Sequence, residues 1–164
     1  MSRKSRDTSH VPSRLIGILV ITGLLLASTP VRAEVTFKRG ILTITQGKVR
    51  AFLNVEVADT EESRAQGLGN RTSLASNAGM LFIFEITGVW AFWMKDTLIP
   101  LTVAFINEQW QIVDLVDMDV EKDPRKPVAI YQAAKPSRYA LEVNKGFFQR
   151  KKITVGAQVV YTPK

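Results

Sequence analysis

The ten residues VRAFLNVEVA, Val49 to Ala58, constrain the fold of this chain more than any other stretch. Val49, Ala51, Leu53, Val55 and Val57 alternate with Arg50, Asn54 and Glu56. Successive side chains on a strand point to opposite faces, so this period of two predicts a strand with one buried face. ILTIT precedes it across Gln46-Gly47-Lys48, and the two runs read as a hairpin with a glycine-containing loop. Further short runs follow. GMLFIF is apolar on both faces and suits a central strand, VWAFWMK and LTVAFI flank a turn at Pro100, and WQIVDLVDMDV alternates again. RYALEV and AQVVYT close the chain.

Two short helices interrupt this pattern. Asp59 or Thr60 can cap a helix that carries Glu61 and Glu62 in its first turn and stops at Gly67 in a left-handed conformation. NKGFFQRKK reads as a second helix that starts at Asn144 and ends in bases. Many strands with two short helices imply a mainly β fold, an antiparallel β-sandwich or barrel-like domain with the helices at its ends.

The first 33 residues have a different character. Arg3, Lys4, Arg6 and Arg14 lead into the 13-residue apolar run Leu15–Ala27, which is followed by STPVRA. Basic, apolar and small-polar, in that order, is the pattern of a secretory signal peptide, with cleavage expected after Ala33. The alternative is a membrane anchor, but a bilayer span needs about 20 apolar residues. No cysteine stands at the cleavage site for lipidation, and no adjacent arginine pair marks the twin-arginine route. Cleavage would leave 131 of the 164 residues, one domain at residues 34–164, periplasmic or secreted, monomeric, and without stable membrane insertion.

Charge excludes one class of partner. Of the 22 Lys/Arg and 15 Asp/Glu in the chain, residues 1–33 hold five and one, which leaves 17 and 14, a net +3. That is an ordinary soluble surface, so no nucleic-acid partner is expected despite the high isoelectric point. The chain has no cysteine, and its single histidine, His10, lies in the signal region. A Ser-His-Asp triad, a cysteine nucleophile and the usual zinc, haem or blue-copper ligands are therefore out of reach of residues 34–164. No cofactor is expected. The acids Asp114, Asp117, Asp119, Glu121 and Asp123 suggest calcium, but a strand spreads them over about 20 Å and the run contains no glycine to fold them back. They read as a solvated strand face, and QRKK at 149–152 as a solvated helix end. No metal site is expected.

Several motifs occur together in order: VADTEESRAQGL, GMLFIF, FWMKDTLIPL, VAFI and YALEVNKG. In this the chain closely resembles the family called domain of unknown function 192, over about Val49 to Val160. The resemblance implies a small, mainly β, often exported domain, and it implies no activity. The chain departs from the family pattern at four places. Asp96 stands where Asn is usual, Thr102 and Ala157 stand where Asp is usual, and Gly69 stands where Met is common.

The candidate site centres on VWAFWMKDTLIP, residues 89–100. Strand parity puts Trp90, Phe92 and Met94 on one face and Ala91, Trp93 and Lys95 on the other. An indole beside an ammonium group suits a sugar, a carboxylate or a cation–π contact. Alternatively, Lys95 snorkels from the rim of the core to a carboxylate. Glu142, in YALEVNKG, faces away from Leu141 and Val143, and Arg64 lies on the first helix. Met80 and Thr97, from the same motifs, complete the ligand-binding candidates. These groups can converge on one pocket or form a buried network that specifies the fold.

Three functions remain open. One is a binding module for a small anionic or saccharide ligand, or for a protein segment of a cell-envelope partner. The second is a hydrolase or transferase using Lys95 with a carboxylate. Glycosidase chemistry would need paired carboxylates about 5–10 Å apart, for which only Glu142 and Asp96 are available. The third is a structural or interaction protein without a pocket.

Overall fold

A computed structural model describes residues 35–123 and 129–164. The 49–58 alternation does form a strand. β1 (Lys38–Gln46) and β2 (Val49–Ala58) pair antiparallel about a tight turn at Gly47, whose φ of 59° suits glycine. Ala51, Leu53, Val55 and Val57 are buried, while Arg50, Phe52 and Asn54 face solvent. The chain then crosses through α1 (Glu61–Gln66) and returns as β3 (Ala78–Gly88). β4 (Ala91–Trp93), β5 (Leu101–Ile106), β6 (Ile112–Met118), β7 (Ile130–Gln132), β8 (Ser137–Asn144), α2 (Phe147–Lys151) and β9 (Gln158–Pro163) follow.

Seven strands make one sheet in the order β6-β5-β8-β3-β2-β1-β9, and β4 pairs with β7 in a separate two-stranded sheet. The large sheet curls until its edges touch at one end. There Gln111 bridges to Gln158, the Val159 amide donates to the Trp110 carbonyl at 2.8 Å, and the Ile112 amide donates to the Ala157 carbonyl at 2.9 Å. β6 and β9 do not otherwise pair, so the result is sandwich-like and not a closed barrel.

Each face of the central strands has its own core. On one side Leu42, Leu53, Leu81, Leu141 and Val143 pack with Phe147 and Phe148 of α2. On the other side Met80, Phe82, Phe84, Val103, Phe105 and Ala140 pack with Leu68, Met94 and Ile99. Parity along β3 shows the division, since Leu81 faces the first core and Met80 and Phe82 face the second. β5 is buried at all six positions because both its faces are covered.

The structure corrects several sequence expectations. The sheet is mixed, not wholly antiparallel: β2 and β3 run parallel, because the α1 crossover brings the chain back in the same direction. Asn144 is the last residue of β8, where its amide donates to the Leu74 carbonyl at 2.9 Å, and the second helix begins at Phe147 behind a left-handed Gly146. Gly67 closes α1 at φ 48°, ψ −138°, a glycine conformation but not the left-handed helical one. β6 ends at Met118, so the acids at 119–123 continue no strand, and residues 124–127 of the expected charged loop lie outside the described residues. Asp114 accepts from the Leu115 and Ala134 amides, Asp117 from Thr102, and Asp119 from Lys145. Each of these acids holds a donor of its own. Among the described residues no helix is long and apolar enough to cross a membrane.

Candidate functional site

The second core is not completely filled. A cavity of about 330 Å³ opens between the end of α1, the β3 aromatics and the small β4–β7 sheet. Its position follows from local sequence. Thr60 caps α1 by accepting from the Ser63 amide at 3.2 Å, and the Ser63 hydroxyl accepts from the Thr60 amide at 2.9 Å. This is the reciprocal capping box, with serine in the role usually taken by Glu or Gln. Gly67 then turns the chain so that Leu68 and Gly69 reach the cavity wall. The Asn70 amide donates to the Asp96 carbonyl at 2.7 Å, which ties this wall to the turn after β4.

The opposite wall is aromatic. Phe82 meets Phe92 edge-on, with ring centroids 5.0 Å apart and planes at 88°. Phe84 stacks on Trp90 at 4.0 Å, and the Trp90 indole donates to the Ser137 carbonyl at 3.0 Å. Across the small sheet Trp93 pairs with Ile130, and both are more than half exposed, which makes them the apolar rim of the mouth.

The charged groups occupy different depths. Arg64 lies in the last turn of α1, where its guanidinium donates to the Ile83 carbonyl and to the Glu85 carboxylate, each at 2.9 Å, and sits 5.7 Å from the Phe84 ring. Lys95 is exposed at the mouth and makes no ion pair with any described residue. Glu142 is 5% exposed, in the middle of β8 between Met80 of β3 and Val103 of β5. It has no hydrogen bond or ion pair with any described residue, yet it lines the cavity. Burial pushes its carboxyl up to about 8.

Of the six residues singled out from sequence, Arg64, Trp93, Lys95, Thr97 and Glu142 line this cavity. Met80 does not. It is fully buried beside Glu142 in the second core, because it shares the inward row of β3 with Phe82 and has no open space before it. Asp96 does not line it either. It takes φ 56° in the turn after Met94, a conformation Asp and Asn tolerate better than other side chains, so the Lys–Asp pair divides into a mouth residue and a turn residue. Sequence reasoning passed over the aromatic wall of Phe82, Phe84 and Phe92. Alternation in GMLFIF does carry that signal, since Phe82 and Phe84 share parity with Met80.

A family model named DUF192, with the description Uncharacterized ACR, matches residues 42–161. The chain belongs to this family. Two solved structures are similar to this DUF192 chain. One, from Sinorhizobium meliloti 1021, is described as a "putative transcription regulator"; it is 28% identical with a TM-score of 0.71, and the match covers 79% of this chain and 98% of that one. The other, a protein of unknown function from Novosphingobium aromaticivorans DSM 12444, is 30% identical with a TM-score of 0.67, over 73% of this chain and 83% of that one. No curated protein matches. The motifs that carry the DUF192 resemblance supply most of the cavity: Arg64 to Leu68, Phe82 and Phe84, Phe92, Trp93, Lys95 and Thr97, and Glu142.

Proposed function

We propose that this DUF192 domain is a binding module for a small ligand, seated in the cavity between α1, β3 and the β4–β7 sheet. One observation carries the reading. Glu142 is buried without a hydrogen-bonding partner among the described residues, and it opens onto the space. A buried polar group without a partner costs free energy, and a ligand supplies the missing partner. The volume is at the lower end of the range for small-molecule sites, and aromatic walls with a few convergent polar groups fit that class.

A second reading also draws on Glu142. A carboxyl held protonated near neutrality is what a general acid requires. The cavity lining contains no other carboxylate, so a paired-carboxylate mechanism finds no second member there. Binding is the better-supported function. A fragment library screened by NMR against labelled protein tests it: hits should shift the resonances of Phe82, Phe92 and Trp93. Absence of hits, or hits that map only elsewhere, would leave the domain a structural one.

We also propose that the domain works outside the cytoplasm after cleavage following Ala33, on the strength of the signal-like residues 1–33. N-terminal sequencing of the exported protein should begin at Glu34, and an intact residue 1 in a membrane fraction would refute this.

A further inference from the structure

The cavity has an internal polarity that narrows what can occupy it. Lys95 and the exposed Trp93 stand at its mouth, aromatic rings form its middle, and the unpartnered Glu142 lies at its floor. Arg64 adds positive charge, but its guanidinium is already held by the Ile83 carbonyl and Glu85. Lys95 makes no ion pair with a described residue, so its ammonium is the less committed of the two lining cations, although Arg64 keeps N–H donors beyond the two it uses. All three zones belong to the lining of one cavity, so a single molecule seated there can meet more than one of them.

Resting on the binding reading, we infer that the site takes a small organic acid with a flat apolar body, its anionic group at Lys95 and a hydrogen-bond acceptor at its far end received by Glu142. The anion belongs at the mouth, because the cationic side chains of the lining are Lys95 and Arg64 and the ammonium of Lys95 is open to solvent. The body belongs against Phe92, Phe84 and Trp93, where a ring can stack or meet edges. The far end must be able to accept a hydrogen bond, as a hydroxyl does while also donating to the carbonyl oxygen of a neutral carboxyl. A neutral carboxyl offers one O–H donor, and burial keeps Glu142 neutral below about pH 8. A cationic ligand is disfavoured, since it would place its charge between two basic side chains. The carboxylate and the phosphate monoester of such a body share this chemistry, and the carboxylate is the simpler probe.

Four matched probes separate the zones: 4-hydroxyphenylacetate, phenylacetate, 4-hydroxyphenethyl alcohol and 4-hydroxyphenethylamine. They are titrated by calorimetry into the full chain at pH 6.5. The hydroxy acid should bind with a millimolar or tighter dissociation constant, reasonable for about eleven heavy atoms. It should bind at least tenfold tighter than the alcohol or the amine, and several-fold tighter than phenylacetate. Lys95→Met should remove the preference for acid over alcohol while leaving the alcohol unchanged. Glu142→Gln, whose amide still donates, should keep the preference for the ring hydroxyl, and Glu142→Leu should lose it. If the amine binds best, or if Lys95→Met keeps the acid preference, the polarity assigned here is wrong and the small-ligand reading survives. If none of the four binds at 10-millimolar concentration (about ten times the expected constant), this inference falls. If the fragment screen also finds nothing in the cavity, the binding reading falls with it.

Discussion

Replacing Glu142 by glutamine should stabilise this protein at neutral pH, and the size of the gain should grow with pH. The carboxyl has an ordinary value of 4.5 and is pushed up to about 8 in the folded state by burial. The native state therefore holds this proton more tightly than the unfolded state does. Below about pH 4.5 both states are protonated and the group costs nothing through ionisation. As pH rises the unfolded chain loses the proton first, and stability falls. Above about pH 8 the native carboxyl ionises too, and the loss is complete. Each unit of difference is worth about 1.4 kcal/mol, so the full loss is about 5 kcal/mol, and about 3 kcal/mol is already gone at pH 7. Glutamine has nearly the same shape and cannot ionise.

The assay is a set of urea melts of both proteins from pH 4.5 to 9, with the difference in unfolding free energy plotted against pH. The difference should be smallest at the acid end, rise steadily, and flatten above pH 8. Other titrating groups contribute to both curves and cancel in the difference. A difference that stays within about 1 kcal/mol over the whole range would refute the reasoning, because a carboxyl that ionises without cost is either solvated or paired. A difference that falls with pH would mean that Glu142 gains a cationic partner in the folded protein.

Lys95→Met should change unfolding free energy by no more than about 0.5 kcal/mol in the same melts, since the side chain is exposed and makes no ion pair with a described residue; a loss of about 3–5 kcal/mol would reveal a buried pair. Gly67→Ala should cost about 1–3 kcal/mol, because φ 48° with ψ −138° is closed to side chains with a Cβ even though the space there is open to 3.5 Å; an unchanged melt would show that α1 ends differently. EDTA should leave the melting temperature unchanged, because Asp114, Asp117 and Asp119 each bind a separate donor; a drop of several degrees restored by calcium would show a site built from that run.

The sequence was most legible where one physical signal acted alone. The β1–β2 hairpin has a clean alternation and a glycine turn, and both survive in the structure. The parallel pairing of β2 with β3 was not legible, because a strand buried on both faces has the same apolar pattern whichever way its neighbours run. β7 was missed for a different reason. Ile130–Gln132 is three residues long and its partner is β4, far away in sequence, so no local pattern marks it. Reading VWAFWMK by parity did put Trp93 and Phe92 on opposite faces, which the structure turns outward and inward, although the strand is shorter than the run and belongs to the small sheet.

Glu142 shows why parity alone under-determines a site. Alternation correctly turns it away from Leu141 and Val143, which face the first core. In a sheet with one solvated face that would put it in water. Here the opposite face of β8 carries the second core, so facing away from one apolar layer means entering another. A domain that needed only to fill that layer would have no use for a carboxyl between Met80 and Val103, where an apolar side chain of similar size would remove the desolvation cost altogether. The cost is tolerated where the cover of α1, Gly67–Gly69 and the β4–β7 sheet leaves a space above the strand. A buried acid without a partner and an opening beside it are each weak evidence of function. Their coincidence, with a cation and an exposed indole at the mouth of the same opening, is what supports the proposal that this cavity is a binding site.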